Sequence, residues 1–175
     1  MIRSFEGHVP EIAPGAWVDE TALVIGDVVI GAHSSVWPMT VVRGDIQRIE
    51  IGARTNIQDG SVLHVTHDSR FMPGGRPLTV GDDVTVGHKV VLHACSIGER
   101  CLIGMGSIIM DGAEIASDTL LGAGSLVTPN KRLESGYLWQ GSPARRVREL
   151  TDREREYLRY SAEHYVRLKD RHAGG

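Results

Sequence analysis

Aliphatic residues recur every six positions along most of this chain. The first run is Val18, Val24, Ile30, Val36 and Val42. The register resumes at Ile51, Ile57 and Leu63, then at Val80, Val86 and Leu92, and finally at Ile97, Ile103, Ile109, Ile115, Leu121, Val127 and Leu133. A period of six repeated this often is typical of a solenoid of short parallel strands. With small residues between the aliphatics, it favours a left-handed parallel β-helix, although strand crossovers in general are right-handed.

The period breaks in three places. Residues 48–50 insert three positions, and Leu92 and Ile97 lie only five apart. Residues 66–77 have no register and include Pro73-Gly74-Gly75, which indicates a loop that leaves the coil. Breaks in a solenoid usually correspond to loops, often on a functional face. We therefore predict loops at these breaks.

The chain divides into a β-helix and a C-terminal helix. The β-helix takes residues 1–150, with repeats over about 16–134, and the helix takes residues 151–172. Thr151 and Glu154 have the spacing of a capping box at the helix start. A predicted apolar face, packed on the solenoid or on a neighbour, is formed by Tyr157, Ser161, Tyr165 and Leu168.

Composition excludes several classes of protein. The net charge of −3 leaves no electrostatic footprint for nucleic acid. No apolar run is long enough to span a membrane, and no signal peptide is visible, so we predict a cytoplasmic protein. Cys95 and Cys101 form neither a disulfide framework nor a zinc knuckle, and we expect buried free thiols.

Three histidines lie close to the register breaks. His64 and His93 each follow an inward aliphatic by one position, so we expect them to stack on one face of one chain. His88 lies two positions past its aliphatic and projects differently. Neutral imidazole is the commonest ligand for transition metals, and three histidines with an open fourth position hold a catalytic zinc. A symmetric oligomer could complete such a site with His88 of a neighbouring chain. The alternative is three interface or surface histidines without a metal.

A second polar cluster precedes His64. Arg43 and Asp45 share side-chain parity and could form an ion pair across a subunit boundary, and Asp59 could also pair with Arg43. Gln58 lies six residues before His64 and two after Asn56, where it could bond to a metal-bound water. A purely structural ion pair is an equally good reading of the charged residues.

These motifs together resemble the γ-class carbonic anhydrases and their bacterial homologues. The resemblance covers nearly the whole chain and rests on Arg43-x-Asp45, Asn56-x-Gln58-Asp59, His64 and His88-x4-His93, with phrases such as Val84-Thr85-Val86-Gly87-His88-Lys89. It implies a homotrimer that hydrates carbon dioxide to bicarbonate by a metal-bound hydroxide. Zinc is the expected metal, with iron(II) or cobalt as options. Implied roles are metal ligation by His64 and His93 of one subunit and His88 of the next, orientation of the hydroxide by Gln58, an intersubunit salt bridge of Arg43 and Asp45 near Asp59, and shaping of the site by Asn56.

The chain also departs from the archetype of that family. The loop at residues 66–77 contains no glutamate to carry protons, and Ile46 stands where the archetype has another glutamate. Candidate substitutes are His67, Tyr160 and Tyr165. Two alternatives therefore remain: a metal-binding trimer without turnover, and an acyltransferase that uses a coenzyme A thioester, with one histidine as general base.

Overall fold

The computed structural model describes residues 1–174 as a parallel β-solenoid followed by one helix, which confirms the predicted left-handed β-helix class. The strands, in chain order, are β1 (Ile2–Arg3), β2 (Glu11–Ile12), β3 (Trp17–Val18), β4 (Leu23–Ile30), β5 (Ser35–Val36), β6 (Val41–Ile51), β7 (Asn56–Ile57), β8 (Val62–His64), β9 (Leu78–Val80), β10 (Thr85–Val86), β11 (Val91–His93), β12 (Ser96–Ile97), β13 (Leu102–Ile103), β14 (Ile108–Ile109), β15 (Glu114–Ile115), β16 (Leu120–Leu121), β17 (Leu126–Val127), β18 (Arg132–Leu133), β19 (Tyr137–Gly141) and β20 (Ala144–Glu149). The helix α1 is Asp152–Ala173.

Stacked parallel strands give the solenoid three faces. The helix face consists of β3, β5, β7, β10, β13, β16 and β19, and it carries α1. The open face consists of β8, β11, β14 and β17 with the first halves of β4 and β6. The polar face consists of β9, β12, β15 and β18 with the second halves of β4 and β6. Each coil therefore adds one strand to each face.

The predicted aliphatic rows form the core between these faces. Nearly all of them are inaccessible to solvent, and Val18 at the first coil is half-buried. Between the buried positions, the outward residues stack in ladders with a different character on each face. On the open face the ladder is aliphatic: Leu23, Val41, Val62, Val91, Ile108 and Leu126. On the polar face it changes to Glu50, Thr79, Ser96, Glu114 and Arg132.

The register breaks take different forms. The prediction of a loop at residues 48–50 is wrong, because β6 runs unbroken through them and Ile49 is buried against Val28 of β4. The pairing shifts at a bulge between Gly26 and Val28, which absorbs the extra residues. Residues 66–76 do leave the coil, as predicted. We call them the projecting loop, and antiparallel bridges between Thr66 and Arg76 and between Ser69 and Met72 close it.

The C-terminal helix begins with the predicted capping box. The Thr151 hydroxyl accepts from the Glu154 amide, and the Glu154 carboxylate accepts from the Thr151 amide. The predicted face is partly wrong, because Tyr157 is exposed, whereas Leu158 and Ala162 are buried together with Ser161. No helix formed by residues 1–174 combines the length and apolar character that crossing a membrane requires.

An antiparallel hairpin ends the solenoid. β20 turns back along β19 and forms the outer edge of the helix-face sheet. Its outward positions include Arg145, Arg146 and Arg148, all exposed. At this end Trp139 is buried, and its indole N–H donates to the carbonyl of Glu134.

Candidate metal centre

Two of the three predicted ligands meet at one corner of the solenoid. His64 ends β8 and His93 ends β11, and these strands pair in register, with His64 directly beside His93. The Nδ1 atom of His64 lies 3.2 Å from the Nε2 atom of His93. This corner joins the open face to the polar face. The expectation that these two histidines share one face of one chain is therefore confirmed in the structure.

Each of the two rings is oriented by a carboxylate on its other nitrogen. The Nε2 atom of His64 lies 3.0 Å from Oδ1 of Asp45, and the Nδ1 atom of His93 lies 2.7 Å from Oδ1 of Asp111. A carboxylate accepts, so each of these ring nitrogens carries the proton. The two nitrogens that face each other are then both acceptors, and a cation or an extra proton between them is needed to satisfy both lone pairs.

This arrangement fits a metal ion. Two nitrogen ligands about 2.0–2.1 Å from a tetrahedral zinc lie about 3.3 Å apart, close to the observed separation of the histidine nitrogens. Metal-binding histidines also commonly donate their other N–H group to a carboxylate. A single chain nevertheless supplies only two of the nitrogens. Within residues 1–174, no group of three His, Cys, Asp or Glu side chains could hold a metal.

Electrostatics favour the neutral form of His64. Burial lowers the pKa of His64, and the hydrogen bond with Asp45 opposes this effect only in part. Burial alone would raise the pKa of Asp45, but hydrogen bonds from Arg43 and His64 outweigh it and hold the pKa below its ordinary value. At neutral pH, Asp45 is therefore ionised and His64 keeps the free lone pair that a metal ligand needs.

Arg43 and Asp45 pair within one chain. Their Nη1 and Oδ2 atoms are 2.5 Å apart within the chain, and the expectation of a salt bridge between subunits stays a prediction. Both residues lie on β6, two positions apart, which directs their side chains to the same side of the strand. Within the chain, Asp59 pairs with His88 and not with Arg43. Its Oδ2 atom lies 2.9 Å from Nδ1 of His88.

His88 lies at the other edge of the open face, in the corner between β10 and β11. The ring again has a carboxylate on one nitrogen, namely Asp59, which leaves Nε2 free. Nearby, Gln58 and His88 line a cavity of about 400 Å³ beneath α1, which is also lined by Tyr157, Ser161 and Tyr165. The chain thus carries two half-sites. His64 with His93 forms one, and His88 with Gln58 forms the other.

A buried chain of hydrogen bonds fixes Gln58. Its Nε2 atom donates to Oδ1 of Asn56 at 3.0 Å, and Asn56 donates to Oγ1 of Thr85 at 3.1 Å. The Thr85 hydroxyl bonds in turn to Ser161 of α1 at 2.9 Å. Gln58 is only 4% exposed and Asn56 only 1% exposed. The amide of Gln58 is therefore held in one orientation, with its carbonyl oxygen as the remaining acceptor.

Sequence reasoning missed several members of this site. Asp111 belongs to the next coil, one turn above His93, and its other oxygen accepts from the Thr66 hydroxyl. Hydrogen bonds from Thr66 and His93 hold the pKa of Asp111 below its ordinary value against the opposing effect of burial. Thr85 and Ser161 were also missed. One signal could have found Asp111. Leu92 pairs with Ile109, and the residues after these two aliphatics, His93 and Asp111 among them, lie in the same corner of successive coils.

The parallel coils define a hexapeptide-repeat protein, and its three histidines lie in two half-sites on either side of the open face. The family described as "Bacterial transferase hexapeptide (six repeats)" matches residues 94–129. Protein YrdA of Escherichia coli strain K12 is 54% identical over 97% of this chain and 92% of its own length. The mitochondrial gamma carbonic anhydrase 1 of Arabidopsis thaliana is 42% identical over 94% of this chain, which spans 59% of that relative.

A solved structure agrees with these relatives. The hexapeptide transferase family protein of Anaplasma phagocytophilum superimposes with a TM-score of 0.88 at 42% identity, covering 95% of each chain. The chain therefore belongs to the γ-class carbonic anhydrase-like family of hexapeptide-repeat proteins, in the group that contains Protein YrdA.

Proposed function

We propose that this protein catalyses the reversible hydration of carbon dioxide with a divalent metal held by His64, His93 and His88. The observation that carries the proposal is the pair of facing acceptor nitrogens on His64 and His93, each backed by a carboxylate. The similarity to gamma carbonic anhydrase 1 supports the choice of reaction. Three neutral imidazoles suit zinc best, and the same donors accept iron(II) or cobalt.

The third ligand is proposed to come from a neighbouring subunit of a homotrimer. The pair of His64 and His93 lies at one edge of the open face, and His88 lies at the opposite edge. One chain therefore does not bring the three histidines together. The open face carries the aliphatic ladder, in which Val62 is 40% and Ile108 44% exposed. Burying this ladder against a second copy is favourable, and it brings the His64 edge of one chain to the His88 edge of the next.

When bound, the metal acts as a Lewis acid that lowers the pKa of water toward neutrality. The residues of this chain then supply orientation. One N–H of the Gln58 amide donates to Asn56, which leaves the carbonyl oxygen of Gln58 to accept a hydrogen bond from the O–H of the reacting water. Asp45 and Asp111 keep the two histidine rings in place. The apolar wall of the cavity, including Leu102 and Leu120, admits carbon dioxide and limits competing water.

The structure bears on which residue carries the released proton to the solvent. Tyr160 lies on the outer side of α1, half-exposed and stacked on His164, away from the cavity of Gln58. Tyr165 lines that cavity, but burial raises its pKa, which makes it a poor donor or acceptor near neutrality. His67 is exposed on the projecting loop beside Thr66. We therefore propose His67 as the group that passes protons to the solvent.

Metal content and hydration rate together test the proposal. Protein purified without oxygen and without a chelating tag is expected to hold about one zinc or iron per chain. Carbon dioxide hydration, followed by stopped-flow with a pH indicator, is expected for that form and not for His93→Ala. His8→Ala, an exposed histidine outside the site, serves as the control. Absence of metal, together with no uptake of added zinc or iron(II), would overturn the proposal.

Acyl transfer from a coenzyme A thioester is the second candidate. The favouring observation is the His88–Asp59 pair beside the cavity of about 400 Å³, since a carboxylate-oriented histidine is a general base. Retention of acyl transfer in His64→Ala and loss in His88→Ala, with no metal bound, would support it. A metal-binding trimer without turnover is the third reading, supported by the absence of glutamate from residues 66–77. Full metal occupancy without hydration activity would establish it.

A further inference from the structure

Asp111 contacts both the predicted metal ligand His93 and the projecting loop. Its Oδ1 atom lies 2.7 Å from Nδ1 of His93. Its Oδ2 atom accepts from the hydroxyl of Thr66, the first residue of the projecting loop. Asp111 lies in the corner after β14, and its two carboxylate oxygens link this corner to the projecting loop and to the end of β11.

The one-residue deletion between Leu92 and Ile97 explains why Asp111 reaches His93. The coil that carries His93 reaches its next inward aliphatic, Ile97, in five positions, whereas the coil above takes six from Ile109 to Ile115. The upper corner is one residue longer, and Asp111 lies in it. Backbone bonds hold this corner in place: the Asn130 amide donates to the Asp111 carbonyl, and the Gly112 amide donates to the Ala94 carbonyl.

The projecting loop is itself a fixed structure. The Gly74 amide donates to Oδ1 of Asp68 at 2.8 Å, and Gln47 donates to the Gly74 carbonyl at 2.9 Å. Arg76 donates to Oδ1 of Asn130 at 2.8 Å, which ties the loop to the coil above Asp111. Thr66 is thus presented to Asp111 by a loop held at several points, rather than by a freely moving side chain.

We propose that Asp111, held by Thr66, is a positioning residue that fixes the tautomer and orientation of the His93 ring for metal binding. The inference rests on the proposed function and adds a residue from outside the predicted ligand set. A carboxylate that accepts from Nδ1 leaves Nε2 of His93 as the free donor atom, aimed at His64. Loss of such a partner typically weakens metal affinity by about 10- to 100-fold.

The test compares zinc affinity, measured by competition with a chromophoric chelator, in four proteins. Asp111→Ala is expected to bind zinc about 10- to 100-fold more weakly than the wild type. Thr66→Val is expected to shift affinity in the same direction by less, because Asp111 keeps its bond to His93. Asp118→Asn is the matched control, since its side chain is 34% exposed against 30% for Asp111 but pairs with Arg100 at another corner.

A second measurement separates positioning from a merely structural role. In the metal-free protein, nitrogen NMR of labelled histidine is expected to show His93 protonated at Nδ1 in the wild type and a mixture of tautomers in Asp111→Ala. Unchanged zinc affinity and an unchanged His93 tautomer in that variant would overturn the inference, even if its melting temperature fell. If Asp111→Ala does not fold, Thr66→Val decides the matter by the same two readouts. Failure of the wild type itself to bind zinc would instead refute the proposed function.

Discussion

Sharing of the metal site between subunits can be tested by mixing two inactive variants. His64→Ala removes a ligand from one half-site and His88→Ala removes the ligand of the other. Each variant alone leaves every site incomplete. In a mixed trimer, a site is rebuilt wherever a His88→Ala chain presents intact His64 and His93 to a His64→Ala chain that still has His88.

The expected recovery follows from the symmetry of a ring of three. Every trimer that contains both variants has one junction of the required order, whichever variant is in excess. Random mixing at equal amounts makes about three quarters of the trimers mixed, so about one quarter of all sites are rebuilt. The zinc content and the hydration rate of the mixture are therefore both expected at about one quarter of the wild-type value, against a background near zero for each variant alone.

The assay is metal analysis and stopped-flow hydration after the two variants are unfolded together and refolded. A mixture of His64→Ala with His93→Ala is the matched control, because both changes fall in the same half-site and no junction rebuilds it. Recovery in the control mixture, or none in the test mixture despite mixed trimers seen by native mass spectrometry, would refute the sharing of the site.

Three further predictions follow from particular contacts. Ile108→Asp places a charge in the aliphatic ladder of the open face and is expected to yield monomers, as measured by light scattering. The control Thr79→Asp, on the polar face, is expected to leave the trimer intact. Trimers from Ile108→Asp would show that the open face is not the interface. Gln58→Ala is expected to keep its metal and lose at least about tenfold in kcat, because the acceptor that orients the reacting oxygen is gone; an unchanged kcat would remove Gln58 from the mechanism. The pKa of Glu154 is lowered to about 2, chiefly by the hydrogen bond from Arg148, so its stabilising effect is complete above its ordinary value of 4.5 and is lost as the pH falls toward 2. Glu154→Gln should therefore melt below the wild type at pH 7 and together with it near pH 2, and a constant difference would contradict this reasoning.

Much of the fold could be read from the sequence because the solenoid repeats one local rule. Within each run, an inward aliphatic lies six residues from the next, so Leu63, Leu92 and Ile109 could be placed in the core without knowledge of any other contact. The insertion at residues 48–50 was misread as a loop. Its outcome depends on the bulge in β4, a neighbouring strand, which the spacing along β6 does not reveal.

The site was predictable only in part, for a related reason. The common register of His64 and His93 follows from counting along the chain and places them together. Asp111 contacts His93 from the coil above, and Asp59 contacts His88 from the coil below, so these pairs depend on how the corners stack. Arg43 reaches Asp45 of its own chain through its side-chain rotamer. The alternation of side chains along β6 puts both residues on one side of the strand, but it does not determine that rotamer.

The antiparallel hairpin at the end of the solenoid bears on why such a molecule stays discrete. A stack of parallel coils presents unpaired N–H and C=O groups at its last strand, and this edge could accept another molecule and start a filament. β20 occupies that edge in the helix-face sheet with the reverse chain direction, so a further parallel coil finds no matching partner. Two of its exposed arginines, Arg146 and Arg148, pair with Glu134 and Glu154, and burial of these charges against another molecule would cost free energy. The hairpin therefore blocks parallel extension of the helix-face sheet at this end of the solenoid.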